Sequence, residues 1–110
     1  MIANIVRIKS VYYIMSDYKI LEIQKLKAKK LGLSIKPSSN KKKKIDVFDG
    51  EKKIASIGAN GYKDFGTYLK TTPLKNALDK RKNYLARHSK EPKEKNGSKT
   101  NSYYADEILW

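Results

Sequence analysis

Lysine carries the clearest chemistry in this chain. Lys41, Lys42, Lys43 and Lys44 stand consecutively, with Lys36, Lys52 and Lys53 close by in the sequence. Further cations follow at Lys63 and at Lys80, Arg81 and Arg87. Such groups neutralise phosphates and release condensed counterions, which makes binding steeply salt-dependent. Arginine adds a bidentate fork that lysine lacks, so Arg81 and Arg87 are the cations best shaped for a phosphate. The alternative for the lysine run is plainer: clustered lysines keep an edge strand and its loops soluble. Tyr62, Phe65 and Tyr68 lie among these cations at intervals of three. Their rings suit stacking on unpaired bases, and equally a short helical turn packed on the core.

The same inventory argues against catalysis. There is one histidine, His88, and no cysteine, so a nucleophile held by a general base has no obvious members. A zinc site would need carboxylates or water to complete it around a single imidazole. Asp64 and Asp79 are better suited to capping turns and pairing with lysines than to acting as an acid/base couple. The sequence therefore reads as non-enzymatic, with no cofactor, no metal and no small-molecule substrate. Lack of cysteine fits a reducing compartment.

Charge sets the class of partner. Lysine and arginine number 25 against 11 acidic residues, a formal net charge of +14 in 110 residues. An excess of this size predicts attraction to polyanions, either nucleic acid or an acidic membrane surface. Residues 1–15, MIANIVRIKSVYYIM, are moderately apolar but broken by Arg7, Lys9 and Ser10. They fall short of the ~20 apolar residues that span a bilayer and lack the pattern of a secretory signal. They read as an optional extension ahead of Ser16, or as an edge strand or docking arm. Residues 16–110 read as one small domain.

The elements that must position the cations follow from local pattern. A helix is expected between Asp17 and Lys30, capped by Ser16 or Asp17 and stopped at Gly32. Leu31 to Lys36 alternates as a half-buried strand does. After a turn at 37–40, Ile45-Asp46-Val47-Phe48 and Lys53 to Gly58 flank Asp49-Gly50, a strong hairpin signal. Ile45 and Val47 then share one sheet face. Thr72 and Pro73 open a long basic helix, with Thr72 as its cap and Pro73 in its first turn. Its expected core face carries Leu74, Ala77, Leu78, Tyr84, Leu85 and His88, with Arg81 lying across it. Residues 89–102 are polar, contain Pro92 and Gly97, and read as a mobile loop. The close, Tyr103 to Trp110, is apolar enough to fold back, since burying such a ring is worth about 2–3 kcal/mol. The expected architecture is α+β: a three-stranded antiparallel meander, one long basic helix and a short C-terminal aromatic segment.

Three blocks also carry a resemblance. Gly58-Ala59-Asn60-Gly61-Tyr62-Lys63-Asp64-Phe65 follows the hairpin, Lys80 to His88 ends in Tyr84-x-x-Arg87-His88, and Ile108-Leu109-Trp110 closes the chain. In this order they resemble a family of basic proteins from nucleocytoplasmic large DNA viruses. The stretch Tyr68-Leu69-Lys70-Thr71-Thr72 departs from the His-Lys-Asp segment expected before the helix. The resemblance implies a viral setting and no catalytic residues. Gly58-x-x-Gly61 is also similar to the loops that clamp nucleic-acid backbone in KH domains, although those join two helices and this one leaves a strand.

Together these features predict a basic viral protein that binds nucleic acid, DNA more than RNA, mainly through phosphates. It would be packaged in the virion or act in host cytoplasm or nucleus. The rival reading is a capsid-associated module whose charge meets an acidic protein. A third, membrane-surface role lacks a lipidation signal or a strongly amphipathic helix.

Overall fold

The computed structural model describes the backbone of residues 5–8 and 11–14 and all of residues 16–110. The N-terminal reading of residues 1–15 thus lies partly outside the described residues. Within it, β1 (Ile5–Ile8) and β2 (Val11–Ile14) pair antiparallel with Ile5 opposite Ile14. They form a two-stranded ribbon separate from the main sheet.

The main sheet is the antiparallel meander β3 (Ser34–Pro37), β4 (Lys43–Asp49), β5 (Lys52–Ala59), with β4 in the middle. Asp49 pairs with Lys52, so the connection is the two-residue loop Gly50-Glu51. Gly50 has φ +62° and Glu51 does not share the positive φ, the pattern of a type II′ turn with glycine first. Ile45 faces Ile57 and Val47 faces Ala55, and all four are buried. The ladder shifts register between Val47 and Phe48, where a bulge falls.

Helix α1 (Glu22–Lys30) starts later than its sequence suggests. Neither Ser16 nor Asp17 caps it. Leu21 takes the cap position and its N–H donates to the Gln24 side-chain oxygen at 3.0 Å, one half of a capping box. The stop at Gly32 is as expected. Gly32 has φ +74°, its N–H reaches the Lys29 carbonyl, and the Leu33 N–H reaches the Ala28 carbonyl, each at 3.0 Å. That pair of bonds is a Schellman motif.

Between the sheet and the long helix lies α2 (Phe65–Thr71), capped by Asp64, which accepts from the Thr67 N–H at 2.9 Å. Helix α3 (Leu74–Arg87) follows, but its cap is Pro73, not Thr72. The residue before a proline is driven out of the helical region, and Thr72 sits extended at φ −139°, ψ 162°. Its hydroxyl instead donates back to the Tyr68 carbonyl at 2.7 Å, closing α2. Pro73 itself is extended, with ψ 149°, so it precedes the first turn instead of entering it. The expected core face of α3 is also trimmed. Ala77 is buried, and Tyr84, Leu85 and His88 are half-buried, but Leu74 and Leu78 are exposed.

Residues 89–102, read as a loop, contain a hairpin. Strands β6 (Glu94–Lys95) and β7 (Ser98–Lys99) pair across Asn96-Gly97, whose φ values of 54° and 80° suit a tight turn. The close is helical: α4 (Asn101–Tyr104) runs into a π-helical turn over Ala105–Leu109. It delivers Ile108, Leu109 and Trp110 into the core beside Ile45, Ile57, Phe65 and Ala77. The fold is α+β, a three-stranded antiparallel sheet with helices packed on it. Among the described residues, no helix is long and apolar enough to cross a membrane.

Candidate nucleic-acid interface

A cleft of about 590 Å³ opens where β5, the Gly58–Gly61 turn, α3 and the C-terminal segment meet. Of the cations named from the sequence, Lys43, Lys44, Lys63, Lys80 and Arg87 border it. Strand β4, the loop after the glycine turn and the helix over 74–87 thus bring together cations spread over 45 positions of sequence.

Its walls are aromatic. Tyr84 is sandwiched, with the Trp110 ring at 4.2 Å and 6° on one contact and the His88 ring at 4.2 Å and 29° on another. Tyr68 leans on Trp110 at 6.2 Å. The rings thus form a continuous ladder from Tyr68 to His88. At one end, the Lys63 and Lys80 ammonium groups both lie over the Tyr68 ring, at 5.8 and 5.9 Å. At the other, His88 Nδ1 is 2.6 Å from Glu91 Oε2, and Glu91 Oε1 accepts from the Ser102 hydroxyl at 2.8 Å. Those two hydrogen bonds, His88 first, hold the Glu91 carboxyl below its ordinary range. The ladder thus has two lysines at one end and the His88–Glu91 pair at the other. Burial within it, reinforced by nearby Asp106 and Glu91, pushes the Tyr84 hydroxyl up to about 12, so it stays protonated near neutrality.

One predicted contact is withdrawn by the fold. Lys44 is 3% exposed, and its ammonium pairs with Asp64 Oδ2 at 3.0 Å. Its aliphatic stem packs close to Gly58. Its charge therefore belongs to the interior and cannot meet a phosphate. Lys43, Lys63, Lys80 and Arg87 differ: among the described residues, none of them has a carboxylate within 4.0 Å.

The other sequence-named cations lie elsewhere. Lys41 and Lys42 are exposed in the turn before β4 and hold the glycine turn from outside: the Asn60 side chain donates to the Lys41 carbonyl and its N–H to the Lys42 carbonyl, both at 2.9 Å. Lys52 and Lys53 sit at the opposite end of the hairpin, by the Gly50 turn. Lys53 lies 3.7 Å from Asp46, a carboxylate buried on β4. Burial alone would raise that carboxyl, but hydroxyl donors Ser38 and Ser56, each at 2.7 Å, and the Ser39 N–H hold it below its ordinary value. Arg81 lies over the Phe65 ring at 5.3 Å and borders a smaller depression with Lys27 and Asp106, away from Arg87.

The glycine turn does not form an open anion nest. The Asn60 N–H is used as above, and the Tyr62 N–H reaches the Ala59 carbonyl at 3.3 Å. Gly58 has a packing role: a Cβ there would fall 2.9 Å from Leu109 Cδ1 and 3.0 Å from the Lys44 stem, and φ is +78°. Of the three aromatic residues named for stacking, Phe65 is buried, Tyr68 lies under two lysines, and Tyr62 stands free at 75% exposure. Comparison with models of known protein families, with curated proteins and with solved structures found no match. Among the described residues, no three histidine or carboxylate side chains converge as a metal site requires.

Sequence reading missed the His88–Glu91–Ser102 cluster that closes the ladder. Glu91 and Ser102 sit in a stretch whose composition signals only solubility, and their partner His88 acts through a helix end. The Asn96-Gly97 turn was the available signal that this stretch folds.

Proposed function

We propose that this protein binds nucleic acid through phosphate contacts centred on the cleft. What supports the reading is the meeting of four carboxylate-free cations, Lys43, Lys63, Lys80 and Arg87, in one recess of a chain carrying +14. Like charges that line a cleft focus their field and attract a polyanion more strongly than the same charges on a convex surface. No base-reading helix of a known kind is present among the described elements, so the contacts favour affinity over sequence preference. DNA is the preferred polyanion and virion packaging the preferred setting on the strength of the sequence resemblance alone.

A mobility-shift titration across salt tests this. The logarithm of affinity is expected to fall linearly and steeply with the logarithm of salt concentration, by ~0.7–0.9 per phosphate contacted. Absence of binding in dilute buffer would refute the proposal and leave an acidic protein as the partner to seek.

A further inference from the structure

The ring ladder described above is a wall whose faces are already covered. Tyr84 has a ring on either side, Trp110 is 8% exposed, and Tyr68 carries two ammonium groups. Tyr62 is the exception, leaving three quarters of its surface in water at the lip of the same cleft. Its backbone is fixed on both sides: the Gly61 turn precedes it, and Asp64, two residues on, is anchored in the interior. The neighbouring Lys63 points its ammonium into the cleft over Tyr68. A free aromatic face is thus held in place beside paired cations.

We infer that the cleft takes a nucleotide from a single strand, with an unpaired base stacked on Tyr62 and the adjoining phosphate held by Lys63 and Lys80. This inference rests on the nucleic-acid reading and names the form of nucleic acid. In a duplex every base has its faces covered by its neighbours, so an exposed ring finds nothing to stack on. An unpaired base offers its face to any aromatic side chain, whatever the sequence. The recess, at about 590 Å³, lies within the ~300–1,000 Å³ range of pockets that hold a small ligand. A single nucleotide enters such a recess; a duplex meets only its rim. Glu91, whose two oxygens are taken by His88 and Ser102, closes the far end of the ladder, away from the two lysines.

Fluorescence anisotropy on the full chain tests the assignment. The probes are a labelled oligothymidylate of about 12 nucleotides, inside the ~4–16 nucleotide range of small single-strand binders, and a labelled duplex of similar length. Single strand is expected to bind more tightly than duplex. Tyr62→Ala is expected to weaken single-strand binding about 5- to 150-fold, equivalent to ~1–3 kcal/mol per stacked base, and to leave duplex binding unchanged. Tyr62→Phe, which keeps the ring, retains the affinity. Duplex binding as tight as single-strand binding, or an equal response of both to Tyr62→Ala, overturns the inference while leaving the phosphate reading intact. Failure of both probes to bind in dilute buffer overturns the two together.

Discussion

Lys44 and Lys63 occupy two electrostatic worlds only a few residues of packing apart. Lys44 is enclosed with Asp64, whose carboxylate also accepts from the Tyr18 hydroxyl at 2.5 Å and from the Thr67 N–H and hydroxyl, each at 2.9 Å. Gln24 donates to Tyr18 at 2.7 Å and completes the network. Each of these side chains has a hydrogen-bonded protein partner. Lys63 and Lys80, by contrast, face a solvent-open cleft over one tyrosine ring. Identical side chains thus sit in opposite settings: a satisfied buried cluster specifies one arrangement of sheet, α1 and α2, while the cleft lysines stay in water with no carboxylate partner. The difference lies in what surrounds the ammonium, and it makes the two regions separable by mutation.

The buried cluster should give the largest response. Asp64→Ala leaves the Lys44 charge buried without its partner and removes the cap of α2, so a loss of about 3–5 kcal/mol in unfolding free energy is expected, read by urea denaturation. The pH profile carries the same information. Burial tends to raise the Asp64 carboxyl, but the Tyr18 hydrogen bond and the Lys44 charge outweigh it and hold it below the ordinary 3.8. Stability from this group is present above the unfolded value and lost as pH falls through the native one. The alkaline limb has the opposite sign. Burial raises the Tyr18 and Tyr84 hydroxyls above their ordinary 10.0, so stability holds below that value and fades as pH climbs through the native ones. Asp64→Ala should flatten the acid limb; an unchanged acid limb would mean that the pair contributes little.

How much of this contrast could be read beforehand depended on sequence distance. The Asp49-Gly50 hairpin, the Gly32 stop and the inward return of Trp110 were legible because each is written in neighbouring residues. The fate of Lys44 was not. Nothing within Lys41 to Lys44 distinguishes its fourth member, since its partner lies 20 positions away and its burial arises because β4 is the middle strand, covered on both faces. Leu74 and Leu78 were misjudged for a related reason. Their periodicity is that of a core face, but α3 meets α2 and Trp110 over only part of its length. Asn96-Gly97 was passed over because its flanks, Glu94-Lys95 and Ser98-Lys99, have no apolar alternation to announce strands.

The open region should respond in binding and hardly at all in folding. Lys63→Gln with Lys80→Gln removes two exposed charges that hold no carboxylate, so stability should stay within about 0.5 kcal/mol of the parent. The slope of log affinity against log salt should fall by ~0.7–0.9, for the one phosphate that the two lysines hold between them. A cooperative loss of fold in this variant would erase the contrast with Lys44, because it would show the cleft cations to be structural too.

The smallest effect is expected from Lys52→Gln with Lys53→Gln, which removes the same two units of charge at the other end of the hairpin. The register places Lys52 opposite Asp49 and Ala59 opposite Lys43, and the length of β4 separates those ends by about 20 Å, twice the ~10 Å screening length at 0.1 M salt. Lys53 is half exposed and its approach to Asp46 is long, at 3.7 Å, so that pair contributes within the ~0–1 kcal/mol of surface bridges. Asp46 keeps its hydroxyl and N–H donors regardless. Stability and salt slope should both stay near those of the parent. Because the two double variants carry equal net charge, any difference between them reports position and not total charge. If they lower the slope equally, phosphates are met by the whole cationic surface, and the cleft loses its claim to be the place where they are held.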